Sequence, residues 1–358
     1  MRKYFVDNLR IICILLLFPF HTCMIYNNWG ELFYITVRPY NLPSYFVGIV
    51  YPWWMNLLFT IAGMSSYYAL QKRTAKEYIR ERVEKLLIPL LAGLIIVVPV
   101  QSYIADIYHN GYTGGYFEHY GIFFSKITDL SGGDGGFTPA HLWFLLYLFI
   151  ISMLMLPIMD KYIKSGKKID GSRIRLLQLL PMFLLILICA PILEIGGKSV
   201  GESLACFAIG FFLFSDERVQ DTLEKNRILL AILFLLALAG RHIMQVNGYM
   251  SGLLWDIEQR MVTWFGIMAL LAAGKRYLDF SNAATKYLSG AAFPLYYFHQ
   301  SILVVLGYFV LKNVKIAWLQ FLLIIIGSFI LTVICYEIFR RIRPAAILFG
   351  IKYKKGKR

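Results

Sequence analysis

Tyr4-Phe5-Val6-Asp7-Asn8-Leu9-Arg10-Ile11-Ile12-Cys13-Ile14-Leu15-Leu16-Leu17-Phe18-Pro19-Phe20-His21-Thr22-Cys23-Met24-Ile25 is a short polar start followed by an almost unbroken apolar run. A membrane-spanning helix needs about 20 mainly apolar residues. Residues 9–26 meet that need, and Asp7 or Asn8 is placed to cap the helix start. Arg2 and Lys3 precede the run as in a signal peptide, but no small-residue cleavage site follows, so the segment is expected to stay as the first helix. Arg10 and His21 are eleven residues apart, roughly 16 Å along a helix and within about 20° of three full turns. One face would then carry a cation near the membrane edge and an imidazole deep inside. A long, thin substrate with an anionic head fits such a stripe. The competing reading makes Arg10 a snorkelling anchor and His21 a helix-packing hydrogen bonder.

The rest of the chain follows the same pattern. Its 358 residues are 58% hydrophobic and only 16% charged, against about 25% charged in soluble domains. Apolar runs recur near 46–70, 86–104, 142–159, 176–194, 200–214, 228–244, 254–273, 292–311 and 317–339. These predict an all-α polytopic membrane protein of about ten helices, in which 200–214, short and containing Glu202, is the weakest span. With the N-terminus in the cytoplasm, the inside segments hold 29 of the 36 lysines and arginines, so both termini are expected inside. The net charge of +15 is thus a topology signal, and nucleic-acid binding is excluded because no other basic face exists. Trp29, Tyr51, Trp53 and Trp54 suggest an aromatic belt at the outer interface. The five cysteines lie in apolar runs without metal-site spacing and read as small hydrophobes. No metal site is expected.

The reading is one membrane domain over 1–358, with a basic cytoplasmic tail at 340–358 and an external loop at 105–141. That loop is expected to be non-helical, either a folded acceptor platform or a passive connector. Its run Gly132-Gly133-Asp134-Gly135-Gly136 lacks the lysine of a phosphate loop. Gly197-Lys198-Ser199 has the lysine, but Ile192 stands where the leading glycine belongs.

Ionisable groups inside spans are functional candidates by default. Arg82 and Lys85, at i,i+3 spacing before the third span, suit phosphate binding or plain membrane anchoring. Tyr296 and His299 share a face near the cytoplasmic start of the ninth span, which would set His299 at a different depth from His21. His141 and Trp143 open the fourth span. Asp256, Glu258 and Arg260 crowd the eighth, where they could line an acceptor pocket or pair with each other.

Taken together, Asp7-Asn8-Leu9-Arg10 followed by His21, Leu58–Ser66, Arg82-x-x-Lys85-Leu86-Leu87-Ile88-Pro89, His141-Leu142-Trp143-Phe144-Leu145 and Tyr296-x-x-His299-Gln300 resemble the membrane acyltransferase-3 family, its glucan-biosynthesis succinyltransferase-like branch in particular. Lys85 departs from the arginine often found there, and no attached esterase-like domain is expected. The resemblance implies transfer of an acetyl, succinyl or similar group from acyl-CoA, a co-substrate and not a bound cofactor, to an extracytoplasmic glycan or other hydroxylated acceptor. It also implies residence in a bacterial plasma membrane. His21 is then the expected general base. Arg10 would hold the pantetheine or phosphate end, Arg82 and Lys85 the phosphates. His299 and Tyr296 would be secondary donors, and His141, Trp143, Asp256 and Glu258 substrate contacts. A covalent acyl-enzyme step and a homo-oligomer stay open. A transporter is the rival reading, although no inverted repeat of broken helices is visible; a sensor or scaffold leaves Arg10 and His21 unexplained.

Overall fold

The computed structural model describes residues 3–28, 32–128, 132–166 and 169–354; Trp29 lies outside them. Helices occupy every stretch where a span is expected. Among the described residues, seven helical segments are long and apolar enough to cross a membrane. Leu176–Cys189 and Val200–Phe214 are apolar but shorter. Leu253–Tyr277 is long enough, at 25 residues, but carries Asp256, Glu258, Arg260, Lys275 and Arg276. The chain divides into two compact units, residues 1–13, 49–80 and 150–286, and residues 14–48, 81–149 and 287–358.

The first unit is built on close helix crossings. A Cβ on Gly63 would lie 2.0 Å from the Phe207 carbonyl oxygen, and one on Gly210 2.1 Å from that of Thr60. Reciprocal glycines therefore let Asn41–Leu70 meet the short 200–214 segment backbone to backbone, the way small residues pack membrane helices. Trp264 is fully buried, stacks on Phe214 and donates its indole N–H to Leu179 O at 2.8 Å. Trp54 does the same to Cys13 O at 2.8 Å. Trp53 and Trp54 are thus core residues and not belt residues: both are buried, and only Tyr51 of that trio is exposed.

The capping expected of Asp7 or Asn8 is also corrected. The first helix begins earlier, at Tyr4. Its Phe5 N–H is bound by the Asp279 carboxylate at 3.2 Å. Asn8 donates instead to Leu278 O at 2.6 Å and Phe280 O at 2.8 Å, closing the C-terminal end of Leu253–Tyr277. Each helix supplies what the other's end lacks.

In the second unit, residues 105–141 are not the irregular stretch the sequence suggests. Val98–Asn110 and Tyr116–Ser125 are helices, because the polar residues there satisfy one another. Buried Asp106 and His119 meet at 2.5 Å, and Asn110 donates to Asp106 at 2.6 Å. Gly135, at φ +86°, presses on that carboxylate, where a Cβ would lie 2.5 Å from its oxygen. Pro99 cannot donate to Ile95 O, and the Tyr120 hydroxyl does so at 3.0 Å.

The turn Val83–Leu87, just before Pro89, is a π turn. Because a π turn closes on i+5, the i,i+3 overlay expected of Arg82 and Lys85 loosens there. Lys85 is exposed and paired to Glu81 at 2.6 Å, while Arg82 is half-buried.

Candidate active site

Three histidines from three separate stretches of sequence converge in the second unit. His21 lies on Leu17–Ile25, His141 on a single 3-10 turn before Trp143–Lys164, and His299 midway along Ala283–Asn313. His299 Nε2 is 3.3 Å from His21 Nδ1, with ring centroids 4.9 Å apart. The His141 and His299 rings are 5.2 Å apart and nearly perpendicular. The depth difference expected between His21 and His299 is therefore wrong. The ninth helix starts at Ala283, upstream of the apolar run, so His299 is carried roughly 24 Å along the axis from its first residue.

Backbone carbonyls hold all three rings. His21 Nδ1 is 3.0 Å from Leu17 O, His299 Nδ1 2.6 Å from Tyr296 O, and His141 Nε2 2.9 Å from Tyr297 O. Tyr296 Oη donates to His141 O at 2.6 Å, and Tyr297 Oη to Pro89 O at 2.8 Å. Gly93 makes room for that last contact, since a Cβ there would sit 2.8 Å from Tyr297 Oη. Phe18 and Phe33 flank the cluster, against His299 and His21 respectively. His141 and His299 are buried, and His141 Nδ1 has no hydrogen-bond partner among the described residues. One step along the ninth helix, Ser301 donates to Val97 O at 2.8 Å, where the third span is interrupted.

His299 spends its nitrogens on Tyr296 O and His21, and the Tyr296 hydroxyl spends its hydrogen on His141 O. Trp143 is half-buried against Tyr147.

Other expected site residues belong to the first unit. Arg10 belongs to the first unit, bound to Asp7 at 3.1 Å and Ser65 at 3.0 Å. It stands on Tyr4–Leu15, and a turn at Leu16 separates that helix from the one bearing His21. Asp256 is exposed, also in the first unit. Glu258 packs on Gly240, where a Cβ would lie 2.8 Å from its carboxylate. Arg260 pairs with neither acid. It bridges to Glu202 at 3.2 Å, and Asn56 donates to the same carboxylate at 2.8 Å. Pairing within the 256–260 run is therefore corrected to an interhelical pair, which the sequence does not suggest because 58 positions separate the partners.

Reading residue by residue misses Tyr297, whose carbonyl and hydroxyl both serve the site. The doubled tyrosine before His299, with its carbonyls at i−3 and i−2, is the signal that points to it.

Comparison with known proteins identifies the family. The sequence model of the acyltransferase-3 family, described as an acyltransferase domain, matches residues 3–337, which include residues of both units. Relatives named glucans biosynthesis protein C align along nearly all of the chain. That of Escherichia coli O139:H28 is 24% identical over 382 residues, covering 98% of this chain and 95% of its own. That of Shigella dysenteriae serotype 1 is 24% identical over 385 residues with the same coverage. No solved structure matches. The chain belongs to the acyltransferase-3 family.

Proposed function

We propose that this membrane acyltransferase moves an acyl group, acetyl, succinyl or similar, from cytoplasmic acyl-CoA to a hydroxyl of an extracytoplasmic glycan. The convergence of His21, His141 and His299 carries this reading. The name of the relatives, glucans biosynthesis protein C, favours a glucan as acceptor.

In the step we propose, neutral His21 takes the proton of the acceptor hydroxyl as general base. The oxygen attacks the thioester carbonyl, a C–O bond forms and the C–S bond breaks. The departing thiolate takes the proton from His21, so coenzyme A leaves as the thiol. Arg10 holds the donor's pantetheine or phosphate end in this reading. Arg82 and Lys85 grip its phosphates, with the Lys85 ammonium also meeting Glu81. Trp143, Asp256 and Glu258 remain proposed acceptor contacts. The direct test is purified protein with labelled acetyl- or succinyl-CoA. Release of coenzyme A that depends on a glucan acceptor supports the reading, and no release with any acyl-CoA overturns it.

Two expectations follow. Charge-assisted bonds to phosphate contribute about 1.5–3 kcal/mol each. Arg82→Ala should therefore raise the donor KM roughly ten- to a hundredfold, and leave kcat/KM for an acyl-pantetheine, which lacks those phosphates, near wild type. An equal fractional loss with both donors would make Arg82 a membrane anchor. Further, with ten spans and both termini cytoplasmic, an alkaline phosphatase fused after Arg358 should be inactive and the same fusion after Gly114 active. The reverse pattern would invert the topology.

A further inference from the structure

We infer that His299 is a positioning residue, whose Nε2 lone pair holds His21 in the Nδ1–H tautomer and so puts the basic lone pair of His21 on Nε2. The inference rests on the reading of His21 as the base.

Three carbonyls decide the hydrogens. A carbonyl oxygen only accepts, so a neutral ring nitrogen facing one carries the hydrogen. That nitrogen is Nδ1 in His21, facing Leu17 O, and Nδ1 in His299, facing Tyr296 O. It is Nε2 in His141, facing Tyr297 O. With its hydrogen on Nδ1, His299 presents Nε2 as an acceptor. The group it faces, 3.3 Å away, is the nitrogen of His21 that carries a hydrogen. One N–H is thus shared between Leu17 O and His299 Nε2, a three-centre bond. The other tautomer of His21 would turn a nitrogen lone pair toward two acceptors at once. Reversing His299 to compensate would set its lone pair against Tyr296 O at 2.6 Å. His299 is fully buried, so water cannot repair either mismatch.

The arrangement also serves the charged state. When His21 takes a proton on Nε2, the imidazolium charge reaches Nδ1–H, and its bond to His299 becomes charge-assisted. His299 need not accept the proton. It does what the buried carboxylate does in a hydrolase triad, fixing tautomer and orientation, but without a buried negative charge.

The test combines nitrogen NMR of 15N-histidine-labelled protein with kinetics of two variants. The wild-type spectrum should show His21 protonated on Nδ1. His299→Leu should lower kcat by about 10²-fold, less than the roughly 10⁴-fold lost when a charged aspartate stops fixing a tautomer, with the donor KM little changed. It should also mix the two His21 tautomers. His299→Gln, whose amide oxygen can stand in for Nε2, should recover most of kcat and the single tautomer. Wild-type His21 protonated on Nε2 would overturn the inference, and so would a leucine variant with wild-type kcat. The wild-type spectrum decides the tautomer even if the leucine variant misfolds. Failure of the base assignment would show differently, as turnover retained in His21→Ala.

Discussion

His21→Ala should lower acyl-transfer kcat by about 10²–10⁴-fold, the usual cost of a lost general base, while the protein inserts and folds as before. The side chain donates to Leu17 O within its own helical turn and meets His299. Its removal therefore leaves one helical carbonyl, which keeps its backbone role, and one imidazole nitrogen without a donor. That is a modest structural loss beside the chemical one. Size-exclusion profile and yield from the membrane report folding, and single-turnover release of coenzyme A reports chemistry. Turnover above half of wild type in His21→Ala would move the base elsewhere, with the unpartnered Nδ1 of His141 the first place to look.

Glu202→Leu should destabilise the first unit by about 3 kcal/mol, and Arg260→Met should cost clearly less. Breaking a buried ion pair typically costs 3–5 kcal/mol because one charge is left uncompensated. The lower end applies here, since the Arg260 and Glu202 side chains keep 20% and 13% of their exposure. The asymmetry comes from chemistry. A carboxylate deprived of its partner can take a proton and become neutral, still held by Asn56. A guanidinium cannot lose its charge. The double change Glu202→Leu with Arg260→Met should recover most of the loss, as apolar replacement of buried pairs often does. Unfolding free energies from denaturing-detergent titration in mixed micelles check all three. Equal losses in the two single variants, or a double variant worse than both, would show that the pair acts through something other than uncompensated charge.

These cases also show what the sequence makes readable. An apolar run is a local signal, and each expected span carries helix because its residues needed no distant partner to be apolar, although the 176–194 run leaves the helix after Cys189 for a turn and a short strand at Glu194–Ile195. The errors arise where polar residues find partners far along the chain. Ala105 to Asn110 look like loop until Asp106 meets His119 and the Ile95 carbonyl, orphaned by Pro99, meets Tyr120. His299 looked shallow because the first turns of its helix, from Ala283 to Gly290, are polar enough to hide the helix start. Trp54 resembles a belt residue until its N–H finds Cys13 O, 41 positions away. At the candidate site the residue types were readable. Their shared depth was not, because it depends on where three helices begin.

The joint between the two ends of the first unit has a consequence in time. The Phe5 N–H waits for Asp279, 274 positions later, and Asn8 waits for the carbonyls of Leu278 and Phe280. At about 5–20 residues per second of synthesis, roughly 14–55 s separate the two halves of that joint. Throughout that interval the leading helix sits in the bilayer with its start unfinished. Stretches of the second unit, 14–48 and 81–149, leave the ribosome before the joint can close. A chain halted anywhere before Leu278 never makes the connection, however many of its helices have already been inserted. Asp279 is thus the last partner the first helix acquires, and a chain that stops short of it leaves the Phe5 N–H without that acceptor.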